Sequence, residues 1–163
     1  MAEIGCCSTD ICAPDECFGQ YSEGMIERAD YFAAKLAYET DASDVHAALK
    51  AGEQIVVVDV RSDEAWAQGR VAGAIHMHYS EIAARAPIEI PADANVVVYC
   101  WSPGCNAGAK GSLEFAKIGY EAREMIGGFE YWVREGYPVE DAEGAHHRPI
   151  DPLTGIPRVR TRA

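Results

Sequence analysis

Hydrophobic positions along this chain switch between two periods, and the switching lays out an architecture. Ile55-Val56-Val57-Val58 is a continuous apolar run within residues 54–60, the pattern of a strand covered on both faces. Asn95-Val96-Val97-Val98-Tyr99 repeats it. Residues 74–77 and 120–125 read as further strands, the second broken off by Gly127-Gly128. Segments of helical period lie between. Residues 22–40 put Met25, Ala29, Phe32, Ala33, Leu36 and Ala37 on one face behind a Ser22 cap, so this helix is expected to pack on the domain. Ser43 opens a helix over 44–51 that Gly52 stops, and Ser62 caps another through residue 68. Residues 80–85 form a helical turn, and 107–118 and 129–135 are the remaining helices. The proline-bearing stretch 86–94 reads as a surface connection. Strands alternating with helices predict an α/β fold around a mostly parallel sheet, with an extra N-terminal helix.

One junction in this pattern carries chemistry. The run that ends at Tyr99 is followed by Cys100-Trp101-Ser102-Pro103-Gly104-Cys105-Asn106, and the helix from Ala107 comes next, with Asn106 as its expected cap and Gly119 as its stop. In parallel sheets, reactive loops lie at the carboxyl ends of strands, where Cys100 falls. The free N–H groups of the loop and helix start favour negative charge and are expected to make Cys100 more thiolate-like than a free cysteine. Cys105 follows five positions later. A curled loop can bring the two Cα atoms within the roughly 4.4–6.8 Å of a disulfide, so Cys105 reads as a resolving thiol, a modulating contact or simple packing. Trp101 is either a wall for a donor or a shield for the loop, and Ser102 is either a donor to the sulfur or a turn residue. Gly104 is expected to supply a positive φ or a close backbone approach. Gly108 and Gly111 weaken their helix and imply close packing on the sheet. Asp59 and Arg61, at a neighbouring strand end, read as a structural pair. His76 and His78 would share one strand face but make only two ligands, so packing roles are expected for both.

Composition narrows the class. The 163 residues divide into a Cys-rich, flexible leader (1–21), the helix (22–41), one domain (42–140) and a polar, basic tail (141–163). With 48% apolar and 25% charged residues there is enough to fill one core. A net charge of -12 weighs against nucleic-acid binding. Only the stretch from Arg148 onward runs the other way, with Arg148, Arg158, Arg160 and Arg162 against Asp151. No apolar run nears the roughly 18 residues of a membrane span, and no basic-then-apolar leader is visible. A cytoplasmic protein without membrane contact is expected. Six cysteines then point to thiol chemistry or metal binding rather than to a disulfide framework. Cys6, Cys7, Cys12 and Cys17 match no strong zinc spacing. They are open to a soft metal, a sulfur relay or no role at all. No cofactor is expected.

With these pieces in order, the chain resembles the single-domain rhodanese-like sulfurtransferases. The resemblance rests on Val58-Asp59-Val60-Arg61, Gly69-Arg70-Val71-Ala72-Gly73-Ala74-Ile75, Val98-Tyr99-Cys100 and Met125-Ile126-Gly127-Gly128-Phe129, with Trp132, Gly136, Tyr137 and Pro138. It implies a five-stranded sheet flanked by helices. It also implies that Cys100 accepts a sulfane sulfur as a persulfide and passes it to a thiophilic acceptor. The loop of Trp101, Ser102, Pro103, Gly104 and Asn106 would cradle that sulfur, and Asp59 and Arg61 would stand behind it. Many members carry a loop arginine or lysine for thiosulfate, and this loop has none, so a small persulfide or a persulfidated protein is the expected donor and a thiol the acceptor. Asn106 occupies the position where a phosphatase needs arginine, which argues against that activity. Two other classes stay open: a dithiol–disulfide redox protein using Cys100 and Cys105, and a non-catalytic interaction module.

Overall fold

The structure, a computed structural model, describes residues 26–154. They fall into two compact units that divide after Ala34. Helix α1 (Arg28–Tyr38) begins in the first unit, none of its residues is buried, and Phe32 and Leu36 of its expected apolar face are exposed. Its expected cap Ser22 and Met25 lie outside the described residues.

The second unit is the α/β domain. In chain order it contains β1 (Glu39–Thr40), α2 (Ala42–Ala51), β2 (Ile55–Asp59), α3 (Asp63–Gln68), β3 (Arg70–Val71) and β4 (Ile75–His76). A 3₁₀ turn at Tyr79–Glu81 leads into α4 (Ile82–Glu89), then β5 (Asn95–Tyr99), α5 (Ala107–Lys117), β6 (Glu121–Met125), α6 (Gly128–Arg134), β7 (Val139–Asp141) and β8 (Gly144–His146). Five strands form one parallel sheet in the order β1-β6-β5-β2-β4. The fold is the expected one, with helices on both sheet faces.

Alternation along β2 and β5 divides the core in two. Val58, Val60, Val96, Val98 and Cys100 share one cluster with Ile82, Ala86 and Phe115, which α4 and α5 carry. Val57, Val97 and Tyr99 face the other way, among Val45, Phe129 and Trp132 of α2 and α6. Residue 100 thus continues the α5 face, and Tyr99 points away from it. Helix α5 lies tight on the sheet, because a Cβ on Gly111 would stand 2.9 Å from methyl carbons of both Val60 and Val98. That close approach is the one the helix glycines implied.

Several details differ from the sequence reading. Residues 86–89 continue α4 despite Pro87, because Ala86 and Ile90 are drawn into the core and burial outweighs the one helical bond that proline removes. The cap of α2 is Asp41, whose carboxylate accepts from Asp44 N–H at 2.9 Å, in place of Ser43. Strand β4 ends at His76, so His78 shares no strand face with it and instead accepts from Ser80 N–H at the 3₁₀ turn. Strands β3, β7 and β8 form a small antiparallel sheet, unforeseen in the sequence, that carries the chain past residue 140.

Candidate active site

The seven residues between β5 and α5 form a held loop. Cys105 N–H donates to Ser102 O at 3.0 Å, which closes the turn. The start of α6 grips the loop from behind: Phe129 N–H donates to Cys100 O and Glu130 N–H to Trp101 O, both at 2.8 Å. Gly128 makes this approach feasible, since at φ +59° a Cβ there would stand 2.5 Å from Cys100 O.

Cys100 is buried at 3% exposure, and its residue lines a cavity of about 660 Å³. The backbone amides of Ser102 and Gly108 are directed at its sulfur. Its thiol donates to Cys105 O at 3.1 Å. Cys105, half-buried on the same cavity, hydrogen-bonds to Cys100 through its sulfur and receives the amides of Trp101 and Ala107. Both cysteines are free thiols. The main-chain nest expected around one sulfur is thus shared between two.

This sharing reverses the expected ionisation. Burial, reinforced by the hydrogen bond and charge of Cys105, pushes the Cys100 thiol up to about 11, and the Ser102 and Gly108 amides offset only part of that rise. Cys105 moves down. Its partial burial acts against this, but the Cys100 hydrogen bond and the Ala107 and Trp101 amides prevail. The pair therefore loses its first proton from Cys105 and keeps the second on Cys100. The sequence reading weighed the helix start but not the burial or the neighbouring sulfur.

The first turn of α5 shows where the field goes. Asn106 is at the cap position but makes no side-chain capping bond. The amide of Ala107 instead serves Cys105, that of Gly108 serves Cys100, and that of Ala109 serves the carboxylate of Glu124. A Cβ on Gly108 would come 2.6 Å from Glu124 Oε1, so this glycine makes room for a carboxylate rather than for the sheet. Burial and the charge of Glu39 push the Glu124 carboxyl up, partly countered by the Ala109 amide and Lys35.

The remaining candidates separate. Ser102, Pro103, Gly104 and Asn106 line the cavity beside the two cysteines. Ser102 contributes through its backbone, as the turn reading has it. Gly104 is not among the positive-φ glycines, and a Cβ there would meet only Ser102 Oγ at 3.9 Å, so neither expected reason for a glycine holds. Trp101 is not part of the cavity wall. Its ring covers the Arg61 guanidinium at 4.4 Å, and Phe129 covers it at 4.3 Å. Arg61 and Asp59 form a buried ion pair at 2.6 Å, joined by the Tyr99 hydroxyl donating to Asp59 Oδ2 at 2.6 Å. Arg61 Nη2 also donates to Gly69 O at 2.6 Å. The pair locks the ends of β2 and β5 together and does not face the cavity. His76 stacks on Trp66, and among the described residues no cluster of three metal-ligating side chains exists. Cys6, Cys7, Cys12 and Cys17 lie outside the described residues.

Sequence reasoning missed Glu124. The signal was present, because Glu124 pairs in register with Val98, two residues before Cys100 on the same sheet face. Glu39 and Lys35, paired with each other at 2.8 Å on the cavity wall, had no such signal.

A protein of Allochromatium vinosum named as a sulfurtransferase is 31% identical over 106 residues, covering 65% of this chain and 97% of that protein. An HTH-type transcriptional regulator of Mycobacterium tuberculosis is also 31% identical over 99 residues, 60% of this chain but only 42% of the regulator. The crystal structure of a Bacillus halodurans protein superposes with a TM-score of 0.66 at 36% identity, covering 71% of this chain and 85% of that one. Among the described residues no helix is long and apolar enough to cross a membrane. The sequence model described as "Rhodanese-like domain" matches residues 41–135, a span that holds four of the five strands of the parallel sheet, the Cys100 loop and α6, and the chain belongs to that family.

Proposed function

We propose that this protein is a sulfurtransferase that carries sulfane sulfur on Cys100. The observation that supports this most is the seat of that sulfur: it sits on a cavity under two backbone amides, beside a second thiol that ionises first. Of the two thiols Cys105 ionises first, and Cys100 keeps its proton. As a donor's sulfane sulfur approaches, the Cys100 proton passes to Cys105 Sγ and Cys100 Sγ attacks. The donor's S–S bond breaks, its thiolate leaves and Cys100–S–SH forms. The Ser102 and Gly108 amides stabilise the charge on the attacking sulfur. An acceptor thiolate then attacks the outer sulfur and regenerates the Cys100 thiolate. Without an acceptor, Cys105 attacks the inner sulfur while its proton goes to the departing sulfur, which is lost as hydrogen sulfide, and a Cys100–Cys105 disulfide remains. A reducing, cytoplasmic setting suits two free thiols that must return to that state.

The facing thiols also favour a second reading, a dithiol–disulfide protein that never carries sulfur. Intact and peptide mass spectrometry after incubation with a persulfide donor separates them. A gain of one sulfur atom mapped to Cys100, absent in Cys100→Ser, is the expected result. Loss of two hydrogens in the parent chain together with no sulfur gain in Cys105→Ser, where the resolving attack is removed, would instead support redox chemistry, and no change in either protein would leave an interaction module.

A further inference from the structure

Three orphan amides open α5, and side chains of the protein occupy all three: Cys105 takes Ala107, Cys100 takes Gly108 and Glu124 takes Ala109. The next amide, Lys110 N–H, already bonds Asn106 O at 3.1 Å. The start of a helix is ordinarily the place where the anionic end of a small ligand is held. Here that seat holds a carboxylate built into β6 and admitted by the bare backbone of Gly108. Around it the cavity wall adds Glu39, Asp41 and Glu135, against one cation among the described residues, Lys35, which is paired with Glu39 at 2.8 Å. Ile126 and Tyr131, both partly solvent-exposed, give the same wall an apolar strip.

We propose that Glu124 is a specificity-determining residue that closes the Cys100 cavity to dianionic donors such as thiosulfate and selects persulfides borne on a cationic organic chain. The inference rests on the sulfurtransferase reading and narrows it to one donor class. A donor R–S–SH with a positive charge near the sulfur gains attraction from Glu124 while its chain lies along Ile126 and Tyr131. An anionic carrier meets repulsion and finds no free amide in the first turn of α5. The transfer itself is the same for both: the Cys100 thiolate attacks the outer sulfur, the donor S–S bond breaks, R–S⁻ leaves and Cys100–S–SH forms.

Two probes of matched length isolate the charge, 2-aminoethyl persulfide and 2-carboxyethyl persulfide. Initial rates of sulfur loading on Cys100 are read by mass spectrometry with the full chain at low ionic strength. The wild-type protein should load from the amino probe at least roughly tenfold faster than from the carboxy probe, and the ratio should shrink as salt is added. Glu124→Gln should bring the ratio towards one, chiefly by speeding the carboxy probe, an outcome that general loss of packing would not produce. Equal wild-type rates, a faster carboxy probe, or a ratio unchanged in Glu124→Gln overturns the inference. Should Glu124→Gln fold poorly, Glu135→Gln on the same wall should leave the ratio largely unchanged, and a ratio that falls towards one in that variant overturns the assignment to Glu124. Loading from neither probe overturns the sulfurtransferase reading and the inference with it.

Discussion

Replacing Asp59 by alanine strips a cation of its counter-charge in the middle of the fold. Asp59 Oδ2 lies 2.6 Å from Arg61 Nη2, with side-chain exposures of 0% and 1%. Asp59 also accepts from Arg61 Nε at 2.9 Å and from the Tyr99 hydroxyl at 2.6 Å. After the substitution Arg61 keeps Gly69 O and the faces of Trp101 and Phe129, but no carboxylate, and Nη1 has no hydrogen-bond partner to begin with. Removing one member of a buried ion pair costs about 3–5 kcal/mol. The Tyr99 hydroxyl still accepts from Val71 N–H at 3.1 Å but loses the acceptor for its own proton, which adds about 1–3 kcal/mol. Set against the about 5–15 kcal/mol that holds an ordinary domain folded, the variant should lose a large part of its stability. Urea unfolding followed by tryptophan fluorescence measures the loss. Asp59→Leu combined with Arg61→Met should recover much of it, because two apolar side chains remove both desolvation costs. A single variant that unfolds with unchanged slope and a loss below about 1 kcal/mol refutes the argument.

Two other substitutions probe the helix and the second sulfur. Gly111→Ala improves helix propensity by about 1 kcal/mol. It also drives a methyl group to within 2.9 Å of Val60 and Val98. Overpacking of that kind costs about 1–3 kcal/mol, so Tm should fall, and a rise would contradict the close α5–sheet contact. Cys105→Ser should slow single-turnover hydrosulfide release from sulfur-loaded protein by more than about tenfold, and release at the parental rate would remove Cys105 from the resolving step.

The sequence made the scaffold readable where elements are long. The valine runs of β2 and β5, the Ser62 cap and the Gly52 and Gly119 stops all stand where the pattern placed them. Strands β1 and β3, of two residues each, are too short to show a period and exist only because a neighbouring strand pairs with them. Pro87 and Ser43 misled because local preference gave way to burial in one case and to a competing cap in the other. At the site, Cys100, its loop and the Asp59–Arg61 pair were legible from residue type and position. Its ionisation was not. The helix-start rule is local, whereas the outcome depends on how deeply the fold buries one sulfur, where the loop brings the second, and which side chain from β6 reaches the remaining amide.

The pair of sulfurs is best tested by a pH titration of the Cys100 and Cys105 Cβ chemical shifts in protein labelled at cysteine, which reports the charge on each sulfur separately. Cys105 should titrate first, below an ordinary thiol, and Cys100 should hold its proton towards about 11. In Cys105→Ser the Cys100 midpoint should move down, since the neighbouring hydrogen bond and charge that raise it are gone. A Cys100 that ionises first, below the midpoint of a free cysteine and indifferent to Cys105, would contradict the account.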